Sequence, residues 1–554
     1  MKKVLLVTMS LMLFSFMLSG PAFSWQGRMA GMGDPTGLVE DESDLLIHPS
    51  AITNIKTFKM FGDYKFTYYD HDSSWGANLS SAVTIPFIGA TIDWAGGNWS
   101  ADGPRYQHDA LVGFAAPVGA GTGGLFITYK GVRSDFDGNS ALAGSAEGYT
   151  AALGSSFNLK NYIDDIAIKG IYGMPLTGDL KWGAEVQVAY HREENKTTNS
   201  ITNVSLNGEG FLGDASFVQR NDFWGFLFPF TTPRDDEFWE LSAKTGLEGM
   251  LGPAKIGVTV RGGAFVGGNS NWNYSDTITM PSQNLSLRNG FDLSGDVDGW
   301  RVGGDIWARV PYSNTVSLPF VLKMDYMERN RSGSGTGSFS DFTGELFGDP
   351  TSATLAYGYN GKEKILNIET GGGVDIQMSQ SFKLAAGLYY NYINYKQSLS
   401  LVGSYPSLEL PYDIPLFINF DYANYPERTE HLVRFKLAAE QQYSPTTTFR
   451  GGLQVFGGTA EESYSFAPNV NNTLVVLNNQ GNLDGTHWGI MGSLGASFQF
   501  SCFVLEPFVQ AGYQELSLSD SNGLTSVISV PLFPWNLSRD TKDVVVSVGA
   551  SIKF

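Results

Sequence analysis

TKDVVVSVGASIKF, residues 541–554, alternates apolar with polar or small side chains almost to its last residue. Val544, Val546, Val548, Ala550, Ile552 and Phe554 fall on one face, while Asp543, Ser547, Gly549, Ser551 and Lys553 fall on the other, with Val545 the one exception. Successive side chains of an extended chain point to opposite sides, so this is a strand with one oily face and one wet face. The same period of two recurs upstream. Leu180, Trp182, Ala184, Val186, Val188 and Tyr190 alternate with Lys181, Gly183, Glu185, Gln187, Ala189 and His191, and 239–251, 316–326 and 433–439 repeat the pattern. A helix would scatter these apolar residues around its circumference, so the strand reading wins.

Followed along the chain, this rhythm predicts strands at 57–70, 75–85, 88–97, 106–117, 122–134 and 148–157. It continues at 179–192, 237–251, 254–267, 297–310, 315–329 and 362–377, and ends with 381–397, 428–443, 446–458, 486–500, 502–518 and 541–554. That makes about 18 strands, within a range of roughly 16 to 20, and an even number puts both chain ends on one side of a closed sheet. Short turns at Gly252-Pro253, Pro311 to Asn314, Ser379-Gln380, Ser444-Pro445 and Ser501 alternate with long polar segments near 193–236, 268–296, 330–360, 398–426, 460–485 and 519–540. The expectation is an all-β, transmembrane, antiparallel up-and-down barrel with short periplasmic turns and long outer loops. Residues 158–178 fit least well and read as a long periplasmic turn, with a short helix around Tyr162 to Ile171.

The other end of the chain agrees. Lys2 and Lys3, an apolar run from Val4 to about Leu18, and Gly-Pro-Ala-Phe-Ser at 20–24 have the layout of a secretory signal peptide cleaved near Ser24. Beyond it, no uninterrupted apolar stretch reaches the roughly 18 residues a membrane helix needs. The single cysteine, Cys502, is far from any lipoprotein position and excludes both an internal disulfide and a Cys-x-x-Cys-His haem site. A composition of 66 Gly, 13% aromatic and only 16% charged residues suits many strands, tight turns and aromatic rings at two membrane interfaces. A formal charge of -19 argues against nucleic-acid binding. The terminal strand closing on an aromatic resembles the C-terminal signal of bacterial outer-membrane β-barrels. That resemblance implies Phe554 as an assembly signal, the barrel assembly machinery as a partner, and the outer-membrane lipid of a Gram-negative bacterium as the surroundings.

Residues 25–56 do not alternate. They carry Gly31-Met32-Gly33-Asp34, the acidic run Glu40-Asp41-Glu42-Ser43-Asp44, and His48-Pro49-Ser50-Ala51-Ile52. Here the chain resembles the FadL/OmpP1-like group of outer-membrane proteins, whose mature N-termini carry a Met-Gly-rich stretch, an acidic stretch and an Asn-Pro-Ala motif. Gly31, Met32, Gly33, the acidic character of 40–44 and Pro49 match, whereas His48 stands where Asn is usual and Ser50 where Ala is usual. The resemblance implies a hatch within the barrel, with Gly31, Gly33, Glu40, Asp41, Asp44, His48 and Pro49 as plug residues. It also implies a group that includes transporters of hydrophobic compounds. The expected organisation is a leader at 1–24, a plug or periplasmic segment at 25–56 and a barrel at 57–554. The carboxylates at 40, 41, 42 and 44 are of the kind that hold a hard cation, but their spacing is not that of an EF-hand loop, and a solvated turn is the preferred reading.

Local catalytic motifs are missing. The histidines at 48, 71, 108, 191, 431 and 487 are scattered without His-Glu-x-x-His spacing, and neither a nucleophile elbow nor a phosphate-cradling loop occurs. No enzyme, cofactor or metal is expected. Gly371-Gly372-Gly373 reads as easing strand curvature or packing. More informative are the charges on the polar faces: Lys181, Glu185, Glu240, Lys244, Glu248, Arg261, Arg301, Asp305, Arg309, Lys323, Asp325, Glu369, Asp375, Arg434, Lys436, Glu440, Arg450 and Glu506. Facing lipid near the midplane, each Arg or Lys would cost roughly 2–4 kcal/mol, so these residues belong inside. They predict a wet bore and are candidates for selectivity, either lining a pore or pairing into a network. Two apolar patches, 223–230 and 410–420, are candidates for capture of cargo or for loop packing.

The functional expectation is passive diffusion of small solutes through a polar lumen. Two alternatives stand beside it: a FadL-like route for hydrophobic compounds, and a barrel scaffold for a secretion or electron-transfer complex. The scaffold reading would bring a cytochrome partner, and self-association into a homo-oligomer stays open.

Overall fold

The computed structural model describes residues 27–32, 38–39, 42–79, 82–85, 90–146, 149–208, 218–220, 234–280, 285–341, 351–404, 408–409, 415–416, 419–424, 427–470, 475–476, 478–520, 525–527 and 535–554. Sixteen long strands build the wall. They are β1 (Lys59–Leu79), β2 (Ala90–Val118), β3 (Gly121–Ala146), β4 (Tyr149–Pro175), β5 (Lys181–Gly208), β6 (Arg234–Leu251), β7 (Ala254–Met280) and β8 (Leu285–Pro311). The second half comprises β9 (Val316–Asp341), β10 (Thr351–Gln377), β11 (Phe382–Ser404), β12 (Glu427–Ser444), β13 (Thr447–Val470), β14 (Asn478–Gln499), β15 (Val504–Asp520) and β16 (Trp535–Lys553). Each pairs antiparallel with its chain neighbours, and β1 also pairs with β16 from Phe61↔Lys553 to Leu79↔Trp535. Met60 N–H donates to Phe554 O at 3.2 Å, and Phe554 N–H donates back to Met60 O at 3.1 Å. The sheet is therefore a closed up-and-down barrel.

The outward faces are oily in one band. Val302, Ile306, Phe320, Leu322, Met324, Val544, Val546 and Val548 are all exposed on the outside. Above them runs a ring of paired aromatics, with Tyr190–Trp239 centroids 5.3 Å apart, Trp300–Tyr326 5.1 Å, Trp488–Tyr513 5.4 Å and Tyr68–Tyr106 5.6 Å. From Trp300 down to Val310, at ~3.3 Å per residue and a ~40° tilt, the band is about 25 Å tall, the height of a hydrocarbon core. Below it the hairpins are tight. Gly119 and Gly252 open two-residue turns at φ 59° and 61°, the left-handed region that a side chain resists.

Sixteen strands lie at the lower edge of the predicted range, and the reason is local. The segment expected at 57–70 and the start of that expected at 75–85 are one strand, β1, with Ala82–Ile85 a separate short strand paired to the start of β2, and those at 88–97 and 106–117 are one strand, β2. Of the expected turn and helix at 158–178, residues 158–175 are strand within β4, and only 176–178 belong to a turn. Consecutive carboxylates disguised it: Asp164 faces outward to Arg133 Nη2 at 2.7 Å and Tyr129 Oη at 2.8 Å, while Asp165 faces inward to His191 Nδ1 at 2.7 Å. The long loops expected near 268–296 and 330–360 are largely the outer ends of β7 to β10. Above the aromatic ring the outer face meets water, so both faces are polar and the alternation disappears although the ladder continues. The leader 1–24 and the apolar patch 223–230 lie outside the described residues. Of the patch at 410–420, only the backbone of 415–416 and 419–420 is described.

Candidate functional site: the occupied lumen

The N-terminal segment is short and irregular: α1 (Gly27–Gly31), then 3-10 turns at Glu42–Leu46 and Pro49–Asn54. Pro49 starts the second turn, where its missing N–H is not needed, and Ile55 N–H closes it on Ile52 O at 3.0 Å. Apolar side chains then anchor the segment to two walls. Leu45, Ala51, Ile52 and Ile55 pack on Phe61, Leu111, Ala115, Phe126 and Ile171 of β1 to β4. Met29, Met32, Leu38 and Val39 pack on Val321, Ala385, Tyr389 and Ala438 of β9, β11 and β12. These strand groups face each other across a ring of sixteen, so the segment crosses the bore.

Polar contacts tie it down on both sides. Arg28 Nε donates to Glu440 at 2.9 Å, Gln510 to Ala30 O at 2.8 Å, and Arg309 to Leu38 O at 2.7 Å. Lys244 donates to Leu46 O at 2.7 Å, Lys181 to Asn54 Oδ1 at 2.8 Å, and His48 Nδ1 lies 2.9 Å from Asp305. Gly183 permits the closest approach, since a Cβ there would stand 2.3 Å from Pro49 C and Ser50 N. Gly183→Val should therefore push residues 49–54 off the wall. Limited proteolysis of the membrane-inserted protein should show faster cleavage between Asp44 and Ile55, and unchanged cleavage would refute the close fit.

The inward charges of the wall are largely paired. Lys181 and Lys255 meet Glu248 at 3.3 and 3.0 Å, Lys244 meets Glu185 at 3.3 Å, and Arg301 bridges Glu240 at 3.3 Å and Asp325 at 3.2 Å. Arg261 reaches Asp325 at 2.6 Å, Arg309 reaches Asp375 at 2.6 Å, and Lys323 reaches Glu369 at 3.3 Å. Arg450 joins Glu440 at 2.8 Å and Glu506 at 2.9 Å. Arg434 and Lys436 lie over the Phe456 and Tyr389 rings at 5.7 and 4.8 Å. Gly31 ends α1, Asp44 and His48 line the space beneath the segment, and Gly33, Glu40 and Asp41 lie outside the described residues. The Phe554 ring lies tilted against Phe503, with centroids 5.9 Å apart. Among the described residues no group of three or more His, Cys, Asp or Glu is placed to hold a metal.

Two cavities flank the segment among the described residues. A lower one of 580 Å³ opens toward the short turns and touches Ile47, His48, Arg309 and Arg450. An upper one of 640 Å³ touches Leu46, Ile47, Lys130, His191, Glu240 and Arg301. Ile47 lines both.

Above the aromatic ring, outside the membrane-crossing part, lies a buried cluster that sequence reading missed. Arg234 meets Glu193 at 2.7 Å and Asp236 at 3.0 Å, Arg331 meets Asp236 at 2.7 Å and Glu363 at 3.4 Å, and Arg329 pairs with Glu363 and reaches Glu193 at 3.4 Å. Asp236 is 0% and Arg331 3% exposed. Burial pushes the Glu193 carboxyl up, but the Arg234, Arg329 and Arg331 guanidiniums outweigh it and hold the group at about 2. Tyr359 Oη donates to Ser270 O at 2.9 Å and its ring stacks 4.8 Å from Trp272, so β6 and β7 are fastened to β9 and β10 across β8. The signal was present: Arg329, Arg331 and Glu363 continue the inward parity of their strands past the last apolar residue.

No family model matches the chain, and no curated protein does. Among solved structures it is similar to a FadL homologue of Pseudomonas aeruginosa, 12% identical, TM-score 0.36, over 97% of this chain and 98% of that one. It is similar also to the toluene transporter TodX of Pseudomonas putida, 11% identical, TM-score 0.34, over 94% and 97%. A third is the toluene transporter TbuX of Ralstonia pickettii, 10% identical, TM-score 0.26, over 95% and 98%.

Proposed function

We propose that this barrel is an outer-membrane transporter, held shut at rest by its own N-terminal segment, that passes small compounds passively from chamber to chamber. The observation that carries the reading is the segment itself, which crosses the bore and is anchored by apolar packing and hydrogen bonds on both walls. A permanently open pore would leave its wall charges in water, whereas most of these are matched with each other or with the segment. No covalent chemistry or energy source is required of the barrel itself.

One feature favours hydrophobic cargo. The β9–β10 ladder runs through Ser317↔Asp375, skips two residue pairs, and resumes at Phe320↔Gly372. Pro319 has no N–H to give there. Leu38 of the segment fills the adjoining notch, where a Cβ on Gly373 or Gly387 would meet its Cδ2 at 2.6 Å. Withdrawal of Leu38 would leave an apolar slot between bore and membrane. Planar bilayers test the proposal: the intact chain should give rare, brief conductance steps. Long-lived open steps from the intact chain would count against a resting plug.

A further inference from the structure

The upper chamber is where charge pairing is incomplete. Its carboxylates are engaged: Glu185 with Lys244 at 3.3 Å, Asp165 with His191 at 2.7 Å, Glu240 with Arg301 at 3.3 Å, and Asp109 with the Gln107 amide at 2.8 Å. Asp63 also has a partner. Three cations differ. Lys65 of β1, Lys130 of β3 and Lys169 of β4 line the same 640 Å³ space, and among the described residues none of them forms an ion pair or a side-chain hydrogen bond. Lys65 stands in register with Asp109, and Asp109 with Lys130, so the two ammonium groups spring from backbones about 10 Å apart, on either side of a carboxylate already held by Gln107. Leu111, Ala167 and Ala189 supply an apolar floor between them. A chain whose formal charge is -19 thus turns three uncommitted ammonium groups toward its inner chamber.

We infer that this chamber binds a small organic anion, a compact carboxylate or phosphate ester with a modest apolar body, through Lys65, Lys130 and Lys169. The volume suits one such molecule. Charge-assisted hydrogen bonds from an ammonium group to an anionic oxygen are stronger than neutral ones. The inference rests on the transport reading for the route into the chamber, but occupancy does not require passage through it.

Three probes with one ring and different charge separate the outcomes: benzoate, benzyl alcohol and benzylammonium, titrated into the intact detergent-solubilised protein. Benzoate should bind about tenfold or more tighter than benzyl alcohol, with an affinity that falls as salt rises. The combined Lys65→Gln, Lys130→Gln and Lys169→Gln variant should lose that advantage, and the matching triple Arg variant should keep it. Equal affinity for benzoate and benzyl alcohol, tighter binding of benzylammonium, or an unchanged triple Gln variant would overturn the inference. Uptake into proteoliposomes distinguishes the two failures. Benzoate bound without flux defeats transport and leaves the site, whereas flux without preferential benzoate binding defeats the site and leaves transport.

Discussion

Removing residues 25–56 should raise the single-channel conductance of the purified barrel by roughly tenfold or more, because an emptied ring of sixteen strands encloses an aqueous channel. The segment is the floor between the two cavities, and among the described residues Ile47 alone touches both. Its loss also strips cover from Phe61, Phe126 and Ile171 on one wall and from Tyr389 on the other, which are nearly inaccessible at present. Returning each large apolar side chain to water costs about 1.5–3 kcal/mol, so the thermal midpoint of the truncated barrel should fall as its conductance rises. Conductance is the decisive readout. A truncated barrel that conducts no better than the intact one would remove the plug from the account, whatever happened to its stability.

Asp236→Ala should be the most damaging single substitution outside the membrane-crossing part. It deletes the carboxylate that receives Arg234 at 3.0 Å, Arg331 at 2.7 Å and the Ser270 hydroxyl at 2.6 Å. Two guanidiniums would be left buried with too few partners, and breaking a buried pair in this way costs roughly 3–5 kcal/mol. The loss should be regional. Hydrogen exchange should accelerate in the outer ends of β6, β7, β9 and β10, while amides of the same strands below the aromatic ring keep their protection. Replacing Asp236 and Arg331 together with apolar residues of similar volume should recover much of the loss. Uniform exchange along the whole strands, or no change at all, would contradict a local fastening.

The period of two made the barrel legible where one face meets lipid and the other meets water, and it failed where that contrast ends. Tyr190, Trp239 and Tyr326 were read correctly because their neighbours alternate, whereas 268–296 looked like loop because Asn269, Asn271 and Asn273 alternate only with other polar or aromatic groups. The adjacent pair Asp164 and Asp165 hid β4 for a related reason, since each carboxylate has its own partner on its own side of the wall. Inward charges were identifiable by parity, but their pairing was not, because Arg309 and Asp375, or Arg450 and Glu506, are far apart in sequence and meet through registers that no local pattern encodes. The free lysines of the chamber escaped notice for the converse reason. Nothing in the residues around Lys65 or Lys130 says that a partner is missing.

The seam at Met60 and Phe554 joins the oldest and the youngest parts of the wall, so the cylinder stays an open sheet until the last strand has been laid against the first. The residues that cross the bore precede that first strand in the chain. They can be laid across the curling sheet before its edges meet, or enter a closed cylinder through its lower end, where the 580 Å³ cavity opens. Either route ends in the same arrangement, a cylinder sealed by the pairing of its first and last strands around a segment fastened to both walls.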